Sequence, residues 1–398
     1  MIHRSSIAAA NEALLIALPF AIPLSPAAGS ILSGAIFVLW AIEGNFKSKF
    51  NQIRSNDVAL ALLAFLALNV IGLLWTEDLR WGLHMLGKYW KLLMAPVFLT
   101  IARRDHLKYY LASYVLCHIA LVAVSYLGWM GVVHFSSAPP GDPTPLNHIS
   151  YNVLLAFAVY ILLDALLQEK LTIRRRLLFG GLAAAMAADV FLTGGRAGQL
   201  GFLGLTVLYF FQLFRGNAAK AIACSAAALL LIVFASYHFS KTFHARVSLI
   251  FQNIEDIRTN PATDVGARLV WWSRSFEIIR AHPLFGVGTG DFPREFRKVN
   301  SAHGPSVPDS VNPHNNYILV LAQFGPIGLV ALLYIFYTQA RISLTARSRA
   351  SNLGAALVVL FLIVMLTESY LMVHHTALMF SFFGAVLYKR YDHAPDVA

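Results

Sequence analysis

Apolar runs recur along nearly the whole of this 398-residue chain, and short polar breaks separate them. A run of roughly 20 residues is long enough for a helix to cross the hydrocarbon core of a bilayer. Hydrophobic residues make up 58% of the chain and charged residues 13%, whereas charged residues alone approach about 25% in soluble domains. The sequence therefore predicts one continuous all-α, polytopic integral membrane domain.

The hydropathy pattern predicts about twelve transmembrane helices. They are expected at approximately 11–28, 29–43, 57–75, 83–101, 109–132, 149–167, 177–193, 197–214, 219–238, 316–340, 352–369 and 372–388. Three regions follow from these spans. Nine helices lie within 1–238, a hydrophilic insert occupies 239–315, and three helices with a cytoplasmic tail complete 316–398.

Positive charge alternates between the predicted loops and sets the orientation. Arg103 and Arg104 lie in one basic loop, and Arg174 and Arg175 lie in another. The short loops predicted on the opposite side of the membrane carry at most one Lys or Arg each. Basic loops remain in the cytoplasm, so the insert 239–315 is expected on the outer side. The net charge of +11 is then a property of the inner loops, and no nucleic-acid partner is expected.

The outward insert contains one predicted amphipathic helix, at 265–281. Its sequence puts Leu269, Trp272, Phe276 and Ile279 on one face, with Arg274 opposite and Arg268 beside the apolar stripe. This pattern is typical of a helix on the membrane surface or of one that caps a helix bundle.

Arg196 follows a diglycine, at the point where one span ends and the next begins. The amides of a helix N-terminus and an adjacent guanidinium together favour a bound diphosphate. The alternative is an interfacial arginine that contacts lipid headgroups.

Arg80, His84, Lys88 and Lys91 are spaced by four, four and three residues, which predicts one basic helix face running inward from the outer side. Lysines inside a span are costly in lipid and should face a polar cavity that holds substrate. The alternative is a helix lying flat in the interface, with its lysines reaching towards water.

Two further segments carry candidate residues. The glycine-rich stretch 282–292 resembles a dinucleotide loop, but no strand precedes it, so a turn after the amphipathic helix is expected. His314 stands at the entrance to the tenth span, followed by Asn315, Asn316 and Tyr317, which can hydrogen-bond a sugar. Nearby cations favour a neutral imidazole, which suits a base.

These motifs together resemble the O-antigen ligase family of Gram-negative bacteria. The resemblance rests on the arginine after a diglycine, R-x-x-x-W with P-L-F-G-V-G-x-G-x-F, and P-H-N-N-Y before a span, within about 190–330. It implies a GT-C-like glycosyltransferase of the inner membrane whose active site faces the periplasm. Arg196 and Arg268 would bind the diphosphate of an undecaprenyl-diphosphate glycan, and His314 would activate the acceptor hydroxyl.

The resemblance further implies an inverting transfer to lipid A-core, without metal or cofactor. The wider group includes O-antigen polymerases and O-linked protein oligosaccharyltransferases, which are alternatives with the same donor. A transporter of lipid-linked glycan is the alternative of another class. The sequence shows no internal repeat or pair of broken helices of the kind that transporters use.

Overall fold

The computed structural model describes residues 4–135, 143–167, 171–255, 263–304, 307–345 and 348–389. This part of the chain is mainly helical and contains no β-strand. Its helices are α1 (Arg4–Leu24), α2 (Pro26–Glu43), α3 (Phe46–Arg54), α4 (Asp57–Ile71), α5 (Leu79–Lys88), α6 (Trp90–Ile101), α7 (Leu107–Trp129), α8 (His148–Leu166), α9 (Ile173–Leu192), α10 (Arg196–Leu213), α11 (Ala218–Phe239), α12 (Lys241–Glu255), α13 (Asp264–Ala281), α14 (Phe292–Ala302), α15 (Asn316–Thr345), α16 (Arg349–Val364) and α17 (His374–Val386).

Each predicted span overlaps at least one helix, and α13 covers the predicted helix at 265–281. The first span, 11–28, crosses the break between α1 and α2, and the span 352–369 extends beyond the end of α16 at Val364. Within the described ranges, seven helices are long and apolar enough to cross a membrane. They are Ser5–Leu24, Pro26–Glu43, Asp57–Trp75, Arg104–Trp129, Ile149–Leu166, Ala218–Phe239 and Asn316–Thr345. The total of twelve crossings and the outward side of the insert stay predictions. The predicted cytoplasmic tail from residue 390 onward lies outside the described residues.

The span predicted at 83–101 is not one helix, because the chain turns tightly at Tyr89. This residue has φ −87° and ψ 0° and separates α5 from α6. Its amide donates to the carbonyl of Leu86 at 3.0 Å, which is a three-residue rather than a four-residue spacing. The prediction of one continuous basic face from Arg80 to Lys91 is therefore wrong, since that face requires an unbroken helix.

α8 lies at the centre of the bundle, where it packs against α7, α9, α10, α16 and α17. Close approach of α10 depends on Gly198, because a Cβ there would lie 2.2 Å from the backbone carbonyl carbon of Asn152 on α8. Any side chain at this position would push α10 away from α8. The contact fixes the first turn of α10, which carries Arg196.

The glycine-rich stretch after α13 is a turn followed by a buried connection. α15 is broken at Gly325, which has φ 62° and precedes Pro326, so carbonyls of the preceding turn lack helical partners. The amides of Val287 and Gly288 donate to the carbonyls of Ala322 and Gln323 at 3.0 and 2.9 Å. The stretch therefore supplies hydrogen-bond donors to carbonyls at the break in α15. A turn follows α13, as predicted from the sequence.

α13 packs against α12, α14 and α15. Its buried face contains Ala267, Ser275 and Ile278, whereas Leu269 and Phe276 of the predicted apolar face are each 45% exposed. Ile278 lies in a small apolar core with Leu319 and Ala322 of α15, and Ile279 of the predicted face packs against this core. The predicted helix is present as α13, but its packed face differs from the predicted one, and its role on the membrane surface or at the end of a bundle stays a prediction.

Candidate active site

A cavity of about 600 Å³ opens where α10, α13 and two connecting segments meet. The connecting segments are the residues before α15 and the turn between α16 and α17. Its walls are formed by Ile149, Gly194, Gly195, Arg196, Ala197, Leu200, Thr263, Val265, Ala267, Arg268, Leu269, Trp271, Trp272, Pro308, His314, Leu366, Thr367, Glu368 and Tyr370. The structure thus brings together Arg196, Arg268 and His314, which are far apart in sequence.

Arg196 is the first residue of α10, and the loop before it is fixed by the side chain of Asn152. The Asn152 amide nitrogen donates to the carbonyls of Val190 and Gly195 at 3.0 and 3.3 Å, and its oxygen accepts from Thr193 Oγ1 at 2.7 Å. This loop places the N-terminus of α10 and Arg196 at the cavity wall. Both features favour a bound anion.

Arg268 reaches the cavity from the first turns of α13. Its Nη1 donates to the carbonyl of Thr367 at 3.1 Å, which anchors the guanidinium to the turn between α16 and α17. A guanidinium has five N–H donors in a fixed plane, and this bond uses one of them. An anchored arginine at a cavity wall is suited to a bidentate contact with a phosphate.

His314 lies just before α15 in a left-handed conformation, with φ 51°. Its amide donates to Asn312 Oδ1 at 2.8 Å, which stabilises this uncommon turn. The indole of Trp271 on α13 lies against the imidazole, with ring centroids 4.9 Å apart and planes at 30°. The ring is therefore held from two sides and lines the cavity.

Glu368 is a cavity residue that the sequence analysis did not identify. Its Oε2 lies 2.5 Å from His314 Nδ1, and its Oε1 accepts from Asn312 Nδ2 and from the Ser369 amide, each at 2.8 Å. Burial raises the pKa of this carboxyl, but the contact with His314 and the two hydrogen bonds outweigh burial, and the net pKa is lowered. The carboxylate is therefore ionised near neutral pH.

One signal in the sequence could have identified Glu368. It is an acidic residue within the predicted span 352–369, where ionised side chains are costly and usually have a function. Its partner His314 is 54 residues away in sequence, so the contact between the two side chains could not be predicted from local sequence. The carboxylate also changes the electrostatic expectation, because the closest charged group to the imidazole is an anion rather than an arginine.

Asn315, Asn316 and Tyr317, predicted to bind substrate, do not line the cavity. Asn315 Oδ1 accepts from the amides of Tyr317 and Ile318 at 3.0 and 3.1 Å, so it caps α15. The Asn316 amide donates to Met365 O at 2.9 Å, and Tyr317 Oη donates to the carbonyl of Leu362 at 2.8 Å. These contacts attach α15 to α16, and a substrate role for the three residues stays a prediction.

The other predicted substrate-binding residues also lie outside the cavity lining. Arg80 and His84 are exposed on α5, Lys88 is half-buried 6.0 Å from the Trp81 ring, and Lys91 is buried on α6. Arg274 on α13 pairs with Glu277 at 3.2 Å. Their predicted roles are untested by this geometry, which does not bring them to His314.

The cavity combines a charged interior with an apolar margin. Large apolar residues of its wall are strongly exposed: Ile149 by 38%, Leu200 by 48%, Leu269 by 45% and Leu366 by 50%. Exposed apolar residues around a pocket are typical of a site that meets lipid or an apolar ligand. The arrangement suits a ligand with an anionic head and a long hydrocarbon chain.

Residues 181–333 match the sequence model of the O-antigen ligase family. The matched region runs from within α9 to within α15 and contains Arg196, Arg268 and His314, so the resemblance inferred from the motifs is confirmed there. Glu368 lies beyond it. No curated protein matches the chain.

Proposed function

We propose that this protein is an O-antigen ligase, which transfers O-antigen glycan from undecaprenyl diphosphate to a sugar hydroxyl of lipid A-core. The observation that carries the proposal is the single cavity lined by two arginines and a histidine, with exposed apolar residues at its margin. The reaction takes place at the outer face of the bacterial inner membrane, towards the periplasm.

The diphosphate of the donor is bound by Arg196, Arg268 and the N-terminus of α10. Negative charge grows on the diphosphate as the bond from the anomeric carbon to its oxygen breaks, and it leaves with the electron pair of that bond. Fixed donors aimed at this charge stabilise the transition state by several kcal/mol, roughly the contribution of an oxyanion hole. The contact of Arg268 with Thr367 supports this role, since it restricts the side chain before the substrate arrives.

The polyisoprenoid chain of the donor lies along the apolar margin of the cavity. Leu200, Leu269 and Leu366 are each about half exposed there, at 48%, 45% and 50%. A lipid chain covering them removes apolar surface from water at about 25 cal/mol per Å². This apolar contact explains why a carrier lipid is a suitable donor.

His314 is the base that activates the acceptor. The imidazole takes the proton from the acceptor hydroxyl as that oxygen forms the new bond to the anomeric carbon, on the side opposite the departing diphosphate. The configuration at that carbon is therefore inverted. The proton passes later to solvent, and the histidine is ready for another transfer.

The function is tested with purified protein in detergent, given lipid-linked O-antigen and lipid A-core. We expect a covalent product of higher mass than lipid A-core, formed much more slowly by the His314→Ala variant. A transporter makes no covalent product under these conditions. Donor alone separates the ligase from a polymerase, because only a polymerase lengthens the lipid-linked glycan. A serine-containing acceptor peptide as the sole productive acceptor would indicate a protein oligosaccharyltransferase.

Transfer is expected to proceed at an unchanged rate in excess EDTA. The reason is that guanidinium groups at the cavity supply the positive charge that a divalent cation supplies in other transferases. The rate is measured before and after dialysis against EDTA, with readdition of Mg²⁺ or Mn²⁺ as the control. A loss in EDTA that Mg²⁺ restores would show that the arginines do not suffice.

A further inference from the structure

The contact between His314 and Glu368 decides which nitrogen of the imidazole carries hydrogen. An ionised carboxylate has acceptors only, so at 2.5 Å it requires hydrogen on Nδ1 of the ring. In the neutral imidazole the other nitrogen, Nε2, then has a free lone pair. The tautomer suited to a base that acts through Nε2 is therefore selected by Glu368.

The carboxylate is itself held rigidly, and its two oxygens have different partners. Oε1 accepts from Asn312 Nδ2 and from the amide of Ser369, each at 2.8 Å, while Oε2 faces His314. Ser369 Oγ also donates to Asn312 Oδ1 at 2.8 Å. With an 11% exposed side chain, Glu368 has little access to water, and its orientation is fixed by the protein.

We propose that Glu368 is the positioning residue of this site, which holds His314 in the tautomer and orientation that the transfer reaction requires. The inference rests on the proposed function, in which His314 is the base. Glu368 does not itself touch the acceptor; it acts through the histidine. The carboxylate also stabilises the imidazolium that forms when His314 takes the acceptor proton.

The cavity wall carries charged side chains of both signs. Among the described residues of its wall, the ionisable side chains besides Tyr370 are Arg196, Arg268, His314 and Glu368. Arg196 and Arg268 carry positive charge, whereas Glu368 places a negative charge 2.5 Å from the imidazole. One carboxylate beside the base therefore offsets the field of the diphosphate-binding arginines.

Glu368→Gln is the sharpest test because the surrounding contacts fix how the new amide must lie. Two donors, Asn312 Nδ2 and the Ser369 amide, require an oxygen at the Oε1 position. The amide nitrogen must then take the Oε2 position and donate to His314 Nδ1, which forces hydrogen onto Nε2. The variant keeps the shape of the site but holds the base in the wrong tautomer.

We expect Glu368→Gln to reduce the transfer rate by roughly 10²–10⁴-fold, the range of a lost general base. Donor affinity, measured with fluorescent undecaprenyl diphosphate, should stay within about twofold, because the arginines remain. The rise of the wild-type rate with pH should disappear from the residual activity. Unchanged activity, or a reduced rate that keeps the wild-type pH profile, would refute the positioning role.

Glu277→Gln is the matched control. Glu277 is also paired with a histidine, His303, at 2.8 Å, and this contact likewise lowers the pKa of its carboxyl. The pair is outside the cavity lining, so transfer should be unaffected. Equal losses in the two variants would show that the effect is a general one on the folded chain.

A double variant separates positioning from folding. In the His314→Ala background, Glu368→Gln should cause no further loss, because a residue that acts through His314 has nothing left to position. An additional loss there would mean that Glu368 supports the fold or contacts substrate, which overturns the inference. Absence of transfer by the wild-type protein would instead refute the proposed function, while wild-type transfer with a fully active Glu368→Gln refutes this inference alone.

Discussion

Arg268→Ala and Arg196→Ala should each reduce glycan transfer by about 10²–10³-fold, the cost of removing one preorganised donor from a developing anion. Both side chains line the cavity, and Arg268 is anchored to Thr367 O at 3.1 Å. Lysine at either position should rescue poorly, because an ammonium cannot reproduce the planar bidentate contact of a guanidinium. The measurement is product formation by purified protein at saturating acceptor.

Arg280→Ala is the control for the arginine variants. Arg280 is exposed on α13, on the same helix as Arg268, and lies outside the cavity lining. The Arg280→Ala variant removes one positive charge from that helix without changing the cavity lining, so glycan transfer should be retained. Near-normal transfer by Arg268→Ala would remove Arg268 from the site, and the same outcome for Arg196→Ala would remove Arg196.

His314→Ala should lose roughly 10²–10⁴-fold in rate and still bind the donor, since the arginines are untouched. Binding is measured with labelled undecaprenyl diphosphate and rate with the full substrates, so the two effects separate. The wild-type rate should rise with pH, because a base acts only after losing its proton, and the residual rate of the variant should not. Parallel loss of binding and rate would show that His314 is a ligand contact instead.

A variant elsewhere in the same segment controls for damage to the loop. His303→Ala removes an exposed histidine between α14 and α15 that pairs with Glu277 at 2.8 Å. It is not part of the cavity lining, and its transfer rate should match the wild type. A loss equal to that of His314→Ala would trace the effect to the segment rather than to the base.

The sequence predicted the helices well because each depends on local composition. Apolar runs and their polar ends located α4, α8 and α15 to within a few residues. The turn at Tyr89 was not predicted, because it lies in an apolar run of good helix formers and no residue there signals a turn. The exposed side of α13 was also not predicted, since Ile278 packs against α15 whereas Leu269 and Phe276 of the predicted apolar face remain exposed.

In the candidate site, too, local sequence predicted single residues but not the contacts between distant ones. Arg196 could be predicted because a diglycine and a helix start adjoin it in sequence, and His314 because it precedes a span. The pairing of His314 with Glu368 depends on how the turn after α16 meets the start of α15, which local pattern does not encode. Asn315 was assigned to substrate for its chemistry, whereas its side chain is used as a helix cap.

The break in α15 at Gly325 connects the segment that follows Arg268 to the helix that follows His314. α13 carries Arg268, the stretch that follows it is bonded to the break through Val287 and Gly288, and α15 begins two residues after His314. The segments that carry Arg268 and His314 are thus linked by backbone hydrogen bonds at the break in α15. Under the proposed function, this link keeps the spacing of the diphosphate contact and the base independent of which glycan is attached. We therefore expect that, if the proposed function holds, sugars beyond the first one vary in length and composition without disturbing the reacting atoms.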